Sequence, residues 1–324
     1  MDRRPDNSRR HGTCRIKLTR SSFYLVFQLY IGWMLPEWLS VRPATTERYA
    51  HVKDRIKELS LHTVCVEAQC PNITECWSGG TATFMILGSR CTRGCRFCAV
   101  SKSAIGSVID KEEPDKLAEV IREWGLSYVV ITSVARDDLE DQGSLHFAAC
   151  IKAIKERCPE TMVEVLIPDF QGNEEFLKNV VDARPDVIGN NIETVERLSK
   201  YVRDRRADYW QSINLLKKVK MLDNRIYTKS AMMLGIGEMS EEIEQSMHDL
   251  RDAGVDFVAI GQYLKPKGHH LEVKEFVRPE VFERYRKKGM EMGFRYVASG
   301  PFVRSSYRAG EHFVSNVIKA GGSH

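Results

Sequence analysis

The sequence predicts an α/β fold, specifically an open, partial (β/α)6 barrel of the TIM type, and two features carry that expectation. Short apolar, β-branched runs alternate with amphipathic helical stretches from Thr81 onward, and this alternation joins parallel strands through right-handed helical crossovers. About six βα units can be counted, too few to close an eightfold barrel. A cysteine-bearing N-terminal extension precedes the barrel and a C-terminal segment closes it.

The chain divides into residues 1–33, an atypical and dispensable extension; 34–80, the cysteine-bearing segment; 81–300, the barrel; and 301–324, the closing segment. Seven basic residues from Arg3 to Arg20 precede an apolar run from Phe23 to Leu35. That run is too short for a comfortable membrane span, and no small-x-small cleavage site follows it. Ordinary sequence begins at Met34, which is expected to be the translation start if the extension is not simply dispensable.

Thr46 to Leu59 reads as an amphipathic helix with Tyr49, Val52, Ile56 and Leu59 on one stripe. Thr81 to Leu87 reads as a buried strand. The helix Pro114–Trp124, strand Tyr128–Ser133, helix Ser144–Arg157, strand Met162–Ile167 and helix Glu174–Asp182 follow. Then come the short strand Asp186–Asn191, a helix from Trp210 to Met221 and the strand Ile226–Leu234. Ser240 to Asp252 is a helix with Ser240 as N-cap and Glu242 completing a capping box. Val255–Ile260 is a strand, Pro279–Met292 a helix with Pro at its first position, and Phe294–Ala298 is extended.

Nine cysteines are unevenly spread, with six between Cys65 and Cys98. A disulfide framework suits a small secreted domain, so ligation in a reducing, cytoplasmic compartment is the better reading. Cys150 and Cys158 read as structural thiols. The run Cys91-Thr-Arg-Gly-Cys95-Arg-Phe-Cys98 places three thiols in the loop after a strand, where barrel enzymes carry their chemistry. Thiolates suit iron–sulfur clusters or zinc. A structural zinc site wants four ligands, commonly two C-x2-C pairs, which this run does not offer. A three-thiol cubane leaves one iron open to a small molecule. A second set, Cys65, Cys70 and Cys76, has the spacing C-x4-C-x5-C, which puts Cys65 and Cys70 on one helical face. Two three-thiol sets imply two clusters, each short of one protein thiolate.

Other polar residues cluster at strand ends. Thr132 and Ser133 are followed by Arg136-Asp137-Asp138. Asn191 and Glu193 are two apart and face one side of an extended chain. They are either ligand contacts or helix caps and turn formers. Arg203, Arg205 and Arg206 either clamp a carboxylate, meet an acidic partner or form a solvated face. Gly235-Ile-Gly237-Glu238 fits a glycine-rich ligand loop or a tight turn equally. The net charge of +4 argues against a nucleic-acid partner and is compatible with an acidic protein.

The C-x3-C-x2-C run, with Phe97 before its last cysteine, resembles the signature of the radical S-adenosylmethionine (SAM) superfamily. The two triads together, with Arg304-Ser305-Ser306-Tyr307, resemble the lipoyl synthase family over about residues 36–313. Further matching stretches are Leu61-His-Thr-Val-Cys65, Glu75-Cys76-Trp77, Asn191-Ile-Glu-Thr194 and Ile260-Gly-Gln-Tyr-Leu264. The resemblance implies two [4Fe–4S] clusters: a SAM-binding one on Cys91, Cys95 and Cys98, and an auxiliary one on Cys65, Cys70, Cys76 and Ser305. It implies insertion of two sulfur atoms, drawn from the auxiliary cluster, at C6 and C8 of a protein-bound octanoyl chain. Phe97, Thr132, Ser133, Asn191, Glu193 and Arg203 are the cofactor-side residues it implies. Octanoylated lipoyl carrier domains (2-oxoacid dehydrogenase E2 subunits and the glycine cleavage H protein), a ferredoxin or flavodoxin electron donor and an iron–sulfur carrier for auxiliary-cluster repair are the implied partners, with no membrane involved. Three positions depart from the family pattern: Ala135 where aspartate is usual, Asn190 for histidine and Gln142 for glycine. A biotin synthase-like enzyme would lack the second triad placed ahead of the first, and an electron carrier would need no barrel.

Overall fold

A computed structural model describes residues 36–40, 47–78 and 83–306. The sequence expectations on residues 1–33 and on Tyr307 lie outside these residues. The chain divides at Ser40; the first unit contributes one 3-10 turn, Glu37–Leu39, and the second holds the elements that follow.

In chain order the second unit has α1 (Glu47–Glu58), β1 (His62–Thr63), α2 (Val64–Glu67), α3 (Ile73–Ser78), β2 (Thr83–Ile86), β3 (Arg90–Cys91) and β4 (Ser101–Lys102). Next come α4 (Glu113–Glu123), β5 (Tyr128–Ser133), α5 (Ser144–Arg157), β6 (Met162–Leu166), α6 (Glu174–Asp182) and β7 (Val187–Gly189). The rest is α7 (Glu196–Val202), α8 (Tyr209–Leu222), β8 (Tyr227–Leu234), α9 (Ser240–Asp252), β9 (Phe257–Gln262), α10 (Pro279–Glu291) and β10 (Tyr296–Gly300).

The main sheet runs β1-β2-β5-β6-β7-β8-β9-β10. From β2 to β10 every pairing is parallel, so a helical crossover separates each strand from the next. β1 adds an antiparallel edge on β2, and β10 forms the other edge beside β9. The sheet is therefore an open partial barrel, as the count of βα units implied. The stretch expected to be merely extended near residue 296 is a seventh parallel strand.

Alternation along the strands decides what faces inward. The first residues of the six later strands are Tyr128, Met162, Val187, Tyr227, Phe257 and Tyr296; with Val130 they form an apolar cluster closing the N-terminal end. Above it lies a buried polar bolt. Lys229 Nζ donates to Glu164 Oε1 and Oε2 at 2.8 and 2.9 Å, and the Tyr128 hydroxyl donates to the same carboxylate. Higher still, Thr132, Leu166, Ala231, Met233, Ala259 and Gly261 line a cavity at the C-terminal mouth. Small side chains on β8 and β9 leave that end hollow while aromatic ones fill the other.

Two local expectations are corrected. Ser240 is the first residue of α9, not its cap; Met239 precedes the helix, and the Met239 N–H donates to Glu242 Oε2 at 2.8 Å. Ser240 Oγ instead reaches the Tyr285 hydroxyl, which draws it into the helix–helix contact. Cys65 and Cys70 do not share a helical face, because α2 ends at Glu67 and Gln69 adopts a left-handed φ of 51°. A turn rejoins them, with Cys70 N–H donating to Cys65 O at 3.0 Å.

Lys229 and Glu164 are 8% and 1% exposed, so removing one charge strands the other in the core. Lys229→Met is expected to lower unfolding stability by about 3–5 kcal/mol. The double variant Lys229→Met/Glu164→Leu should recover most of the loss. Urea titration followed by tryptophan fluorescence reads both.

Candidate functional site

Cys91 ends the two-residue strand β3; from Thr92 to Cys98 the loop has no strand or helix, and its shape comes from groups reaching it from other elements. Thr92 N–H donates to Ala135 O at 3.0 Å and Thr92 Oγ1 to Asp137 Oδ2 at 2.7 Å. Arg93 lies between two carboxylates, with Nη2 at 2.8 Å from Asp137 Oδ1 and Nη1 at 2.7 Å from Asp169 Oδ1. Gly94 N–H donates to Asp204 Oδ2 at 2.7 Å, and Arg96 N–H to Val202 O at 2.9 Å. The loop is thus fixed to the ends of β5, β6 and α7.

The same pinning aims backbone donors at sulfur. Cys91 Sγ accepts from Arg93 and Ala135 N–H at 3.5 and 3.4 Å, and Cys95 Sγ from Asp204 N–H at 3.3 Å. Val100 N–H serves Cys98 in the same way. Burial pushes the Cys95 thiol up to about 11. Cys98 rises to about 12, first by burial and then through the neighbouring Cys95 and Cys91. The three thiols therefore lie within electrostatic reach of one another.

The mouth cavity has a volume of about 500 Å³. Its wall contains Cys91, Cys95, Cys98 and Phe97, and also Thr132, Ser133, Asn191, Glu193 and Arg203. Cys70 and Ser305 border it too, whereas Cys65 and Cys76 do not. Cys65 is buried behind the wall, and burial pushes its thiol up to about 11, with Cys70 adding to the effect. Cys76 sits on α3.

The closing segment reaches across to this thiol-bearing end. Asn72 Nδ2 donates to Phe302 O at 2.7 Å, and Ser305 Oγ donates to Asn191 Oδ1 at 3.1 Å. Gly261 makes room for it, since a Cβ there would lie 2.0 Å from Val303 O. The Arg304 guanidinium donates to Val303 O at 2.7 Å; burial lowers its pKa, and a Cys70 thiolate would raise it.

Several wall groups lack partners or pay for burial. Ser133 Oγ and Asn190 Oδ1 are buried without a hydrogen bond, while Asn190 Nδ2 donates to Ile167 O at 2.9 Å. Glu193 has a φ of 67°, accepts from Asn191 Nδ2 at 3.1 Å, and is pushed up by burial against the opposing effects of Arg203 and Asn191. Asn191 and Glu193 do face one side, through this left-handed residue rather than an extended run. Of the three departures from the family pattern, Ala135 and Asn190 line the cavity. Gln142 has a φ of 51°, which explains why glycine suits that position. The Gly235–Gly237 turn is occupied by the chain's own Glu238, whose Oε2 accepts from the N–H groups of residues 235, 236 and 237. Arg206 bonds Asp204 and Thr92 O, supporting the thiol loop.

Among the described residues no three Cys, His, Asp or Glu side chains are drawn to metal-ligand spacing around one point. The donor set nevertheless fits an iron–sulfur cluster: the soft thiols of Cys91, Cys95 and Cys98, each met by backbone N–H, beside a cavity with unpaired polar atoms suited to a polar ligand. Arg93 and Asp169 escaped the sequence reading, and Asp137 stood there only as part of a polar strand end, because an ion pair between distant loops leaves no periodic signal.

Residues 85–261 match the Radical SAM superfamily. The chain is 54% identical to a lipoyl synthase of Methanocella arvoryzae, over 86% of this chain and 95% of that protein. It is 53% identical to a lipoyl synthase of Halobacterium salinarum (89% and 94% covered) and 50% identical to a mitochondrial lipoyl synthase of Picea sitchensis (88% and 75%). In fold it resembles the crystal structure of methylornithine synthase (PylB), with a TM-score of 0.50 at 14% identity, covering 74% of this chain and 81% of that one. It also resembles HydG, a maturase of the [FeFe]-hydrogenase, with a TM-score of 0.51 at 14% identity, covering 78% and 62%.

Two of the carboxylates that pin the thiol loop, Asp137 and Asp204, titrate low. Burial alone would raise Asp137, but hydrogen bonds from Arg93 and Thr92 outweigh it; Arg206 holds Asp204 down. Their contribution to stability is therefore full above the unfolded value of about 3.9 and is lost as pH falls through the lower folded values. The urea midpoint should be flat from about pH 7 to 5 and drop below about pH 4. Asp137→Asn should flatten that drop; an unchanged slope would remove Asp137 as its source.

Proposed function

The chain belongs to the lipoyl synthase family of the radical SAM superfamily, and from that premise we propose how its own residues divide the work. It is a sulfurtransferase that uses SAM and two [4Fe–4S] clusters to insert two sulfur atoms into a protein-bound octanoyl chain, at C6 and C8. We assign Cys91, Cys95 and Cys98 to the SAM-binding cluster, and Cys65, Cys70, Cys76 and Ser305 to the auxiliary cluster that is spent as sulfur donor. When bound, the first cluster and SAM supply a 5′-deoxyadenosyl radical able to take hydrogen from an unactivated C–H bond, which acid–base catalysis cannot reach.

The remaining work falls to the chain. Ser133 Oγ and Asn190 Oδ1 offer unpaired acceptors to SAM, and Thr132, Asn191, Glu193 and Arg203 surround the same space. Glu193, raised by burial, returns toward its charged form when a cationic ligand group stands beside it. Ala231, Met233 and Ala259 give the cavity an apolar floor that accepts an alkyl chain and excludes water. Ser305 is an oxygen ligand in a thiol set, a harder and less natural partner for iron, suited to leave as that cluster is consumed. In the described structure its hydroxyl bonds Asn191, so the two halves of the site meet at that contact.

The observation that carries this reading is that Cys70 and Ser305 share one cavity with Cys91, Cys95 and Cys98. The proposed division into residues 34–80, 81–300 and 301–324 is supported by the Asn72–Phe302 bond, which brings the outer two segments together. Octanoylated E2 subunits and the glycine cleavage H protein are proposed as substrates, a ferredoxin or flavodoxin as reductant, and an iron–sulfur carrier for repair. A reducing, cytoplasmic setting is proposed from the free cysteines; no helix among the described residues is long and apolar enough to cross a membrane.

Anaerobic reconstitution should load about eight irons per chain, four per cluster. The triple variant Cys65→Ala/Cys70→Ala/Cys76→Ala should hold about four, still cleave SAM, and add no sulfur to an octanoylated lipoyl-domain peptide as read by product mass. Cys91→Ala/Cys95→Ala/Cys98→Ala should retain the other four and lose SAM cleavage. A single cluster in the unsubstituted protein would sink the assignment.

A further inference from the structure

The cavity communicates with solvent through a rim of distinct chemistry. Among its described wall residues only Gln69, Lys265 and Lys267 are exposed; all others are buried or half-buried. The two lysines lie on the loop that follows β9, and Gln69 precedes Cys70. Lys267 N–H and Gln69 Oε1 are 3.4 Å apart, so the loop and the N-terminal segment meet at this opening. Lys265 pairs with Glu272, an exposed partner. Lys267 has no carboxylate partner among the described residues.

A cavity of about 500 Å³ admits an acyl chain and its lysine stem, but not a folded carrier. The residues flanking the acylated lysine must therefore rest on the rim. We propose that Lys265 and Lys267 receive acidic side chains flanking the acylated lysine of the carrier domain, and that this pairing selects the carrier; the inference rests on the lipoyl synthase reading of the site. Exchanging Glu272 for a carrier carboxylate costs little, because an exposed pair contributes little. Charge pairing at a rim mainly speeds encounter, fixes register and rejects like-charged partners, and it weakens with salt. Entry beside Gln69 also brings the chain in next to Cys70, on the sulfur-donating side.

The test uses holoenzyme carrying both clusters and three fluorescent octanoyl-lysine peptides of equal length, with Glu, Gln or Lys flanking the modified residue. Anisotropy reads binding without turnover. The Glu peptide should bind about 3- to 10-fold more tightly than the Gln peptide, with two exposed pairs contributing. The advantage should shrink at about 0.5 M salt. Lys265→Glu/Lys267→Glu should reverse the order, so that the Lys peptide binds best. Equal binding of the three peptides to the unsubstituted enzyme overturns the proposal, as does a Glu preference that survives the reversal. Product mass is scored separately: peptides that bind in the expected order yet gain no sulfur fault the family reading, and peptides that gain sulfur while binding equally fault only the rim.

Discussion

Arg93 lies between Asp137 and Asp169, about 6% exposed and flanked by carboxylates that are 7% and 0% exposed. A buried cation of this kind persists only where its partners are well placed, and removing either partner is costly. The pairs gain position more than stability. One side chain of the thiol loop is anchored at the ends of β5 and β6, so the loop inherits the rigidity of the sheet. The N–H groups of residues 93 and 135 can then point at sulfur, and that of residue 204, just past α7, does so where Asp204 Oδ2 accepts from the Gly94 N–H.

Closure of the opposite end matters as much. The apolar cluster of first-strand residues and the Lys229–Glu164–Tyr128 bolt make the barrel solid below the site. Reactive species formed in such a cavity need protection from water, and a solid floor with an apolar wall provides it. Hollowness at the mouth comes from alanine and glycine on β8 and β9, where larger side chains would have filled the space.

The two thiol sets differ in how the chain supports them. Cys91, Cys95 and Cys98 occupy one continuous loop held from several sides. Cys65, Cys70 and Cys76 are spread over a one-turn helix, a turn and a second short helix, and depend on a segment more than two hundred residues away for cover. That contrast fits the roles proposed for them, a resident cluster on the first set and a consumed one on the second.

The alternation of strands and helices, the open count of βα units and the two triads are legible along the chain, because these are local signals of period, spacing and residue type. Local signals mislead where they compete: Ser240 has the residue type of a cap but is the first helical residue, its hydroxyl meeting Tyr285 of another helix, and the spacing of Cys65 and Cys70 suggests a helix that Gln69 breaks. Long-range packing settles that Cys70 and Ser305 border the same space as the loop thiols while Cys65 and Cys76 do not. It also decided which of many charged residues pin the loop or face the opening. Such choices depend on contacts across long sequence separations, such as Asn72 with Phe302 at a separation of 230 residues, and no window along the chain contains both partners.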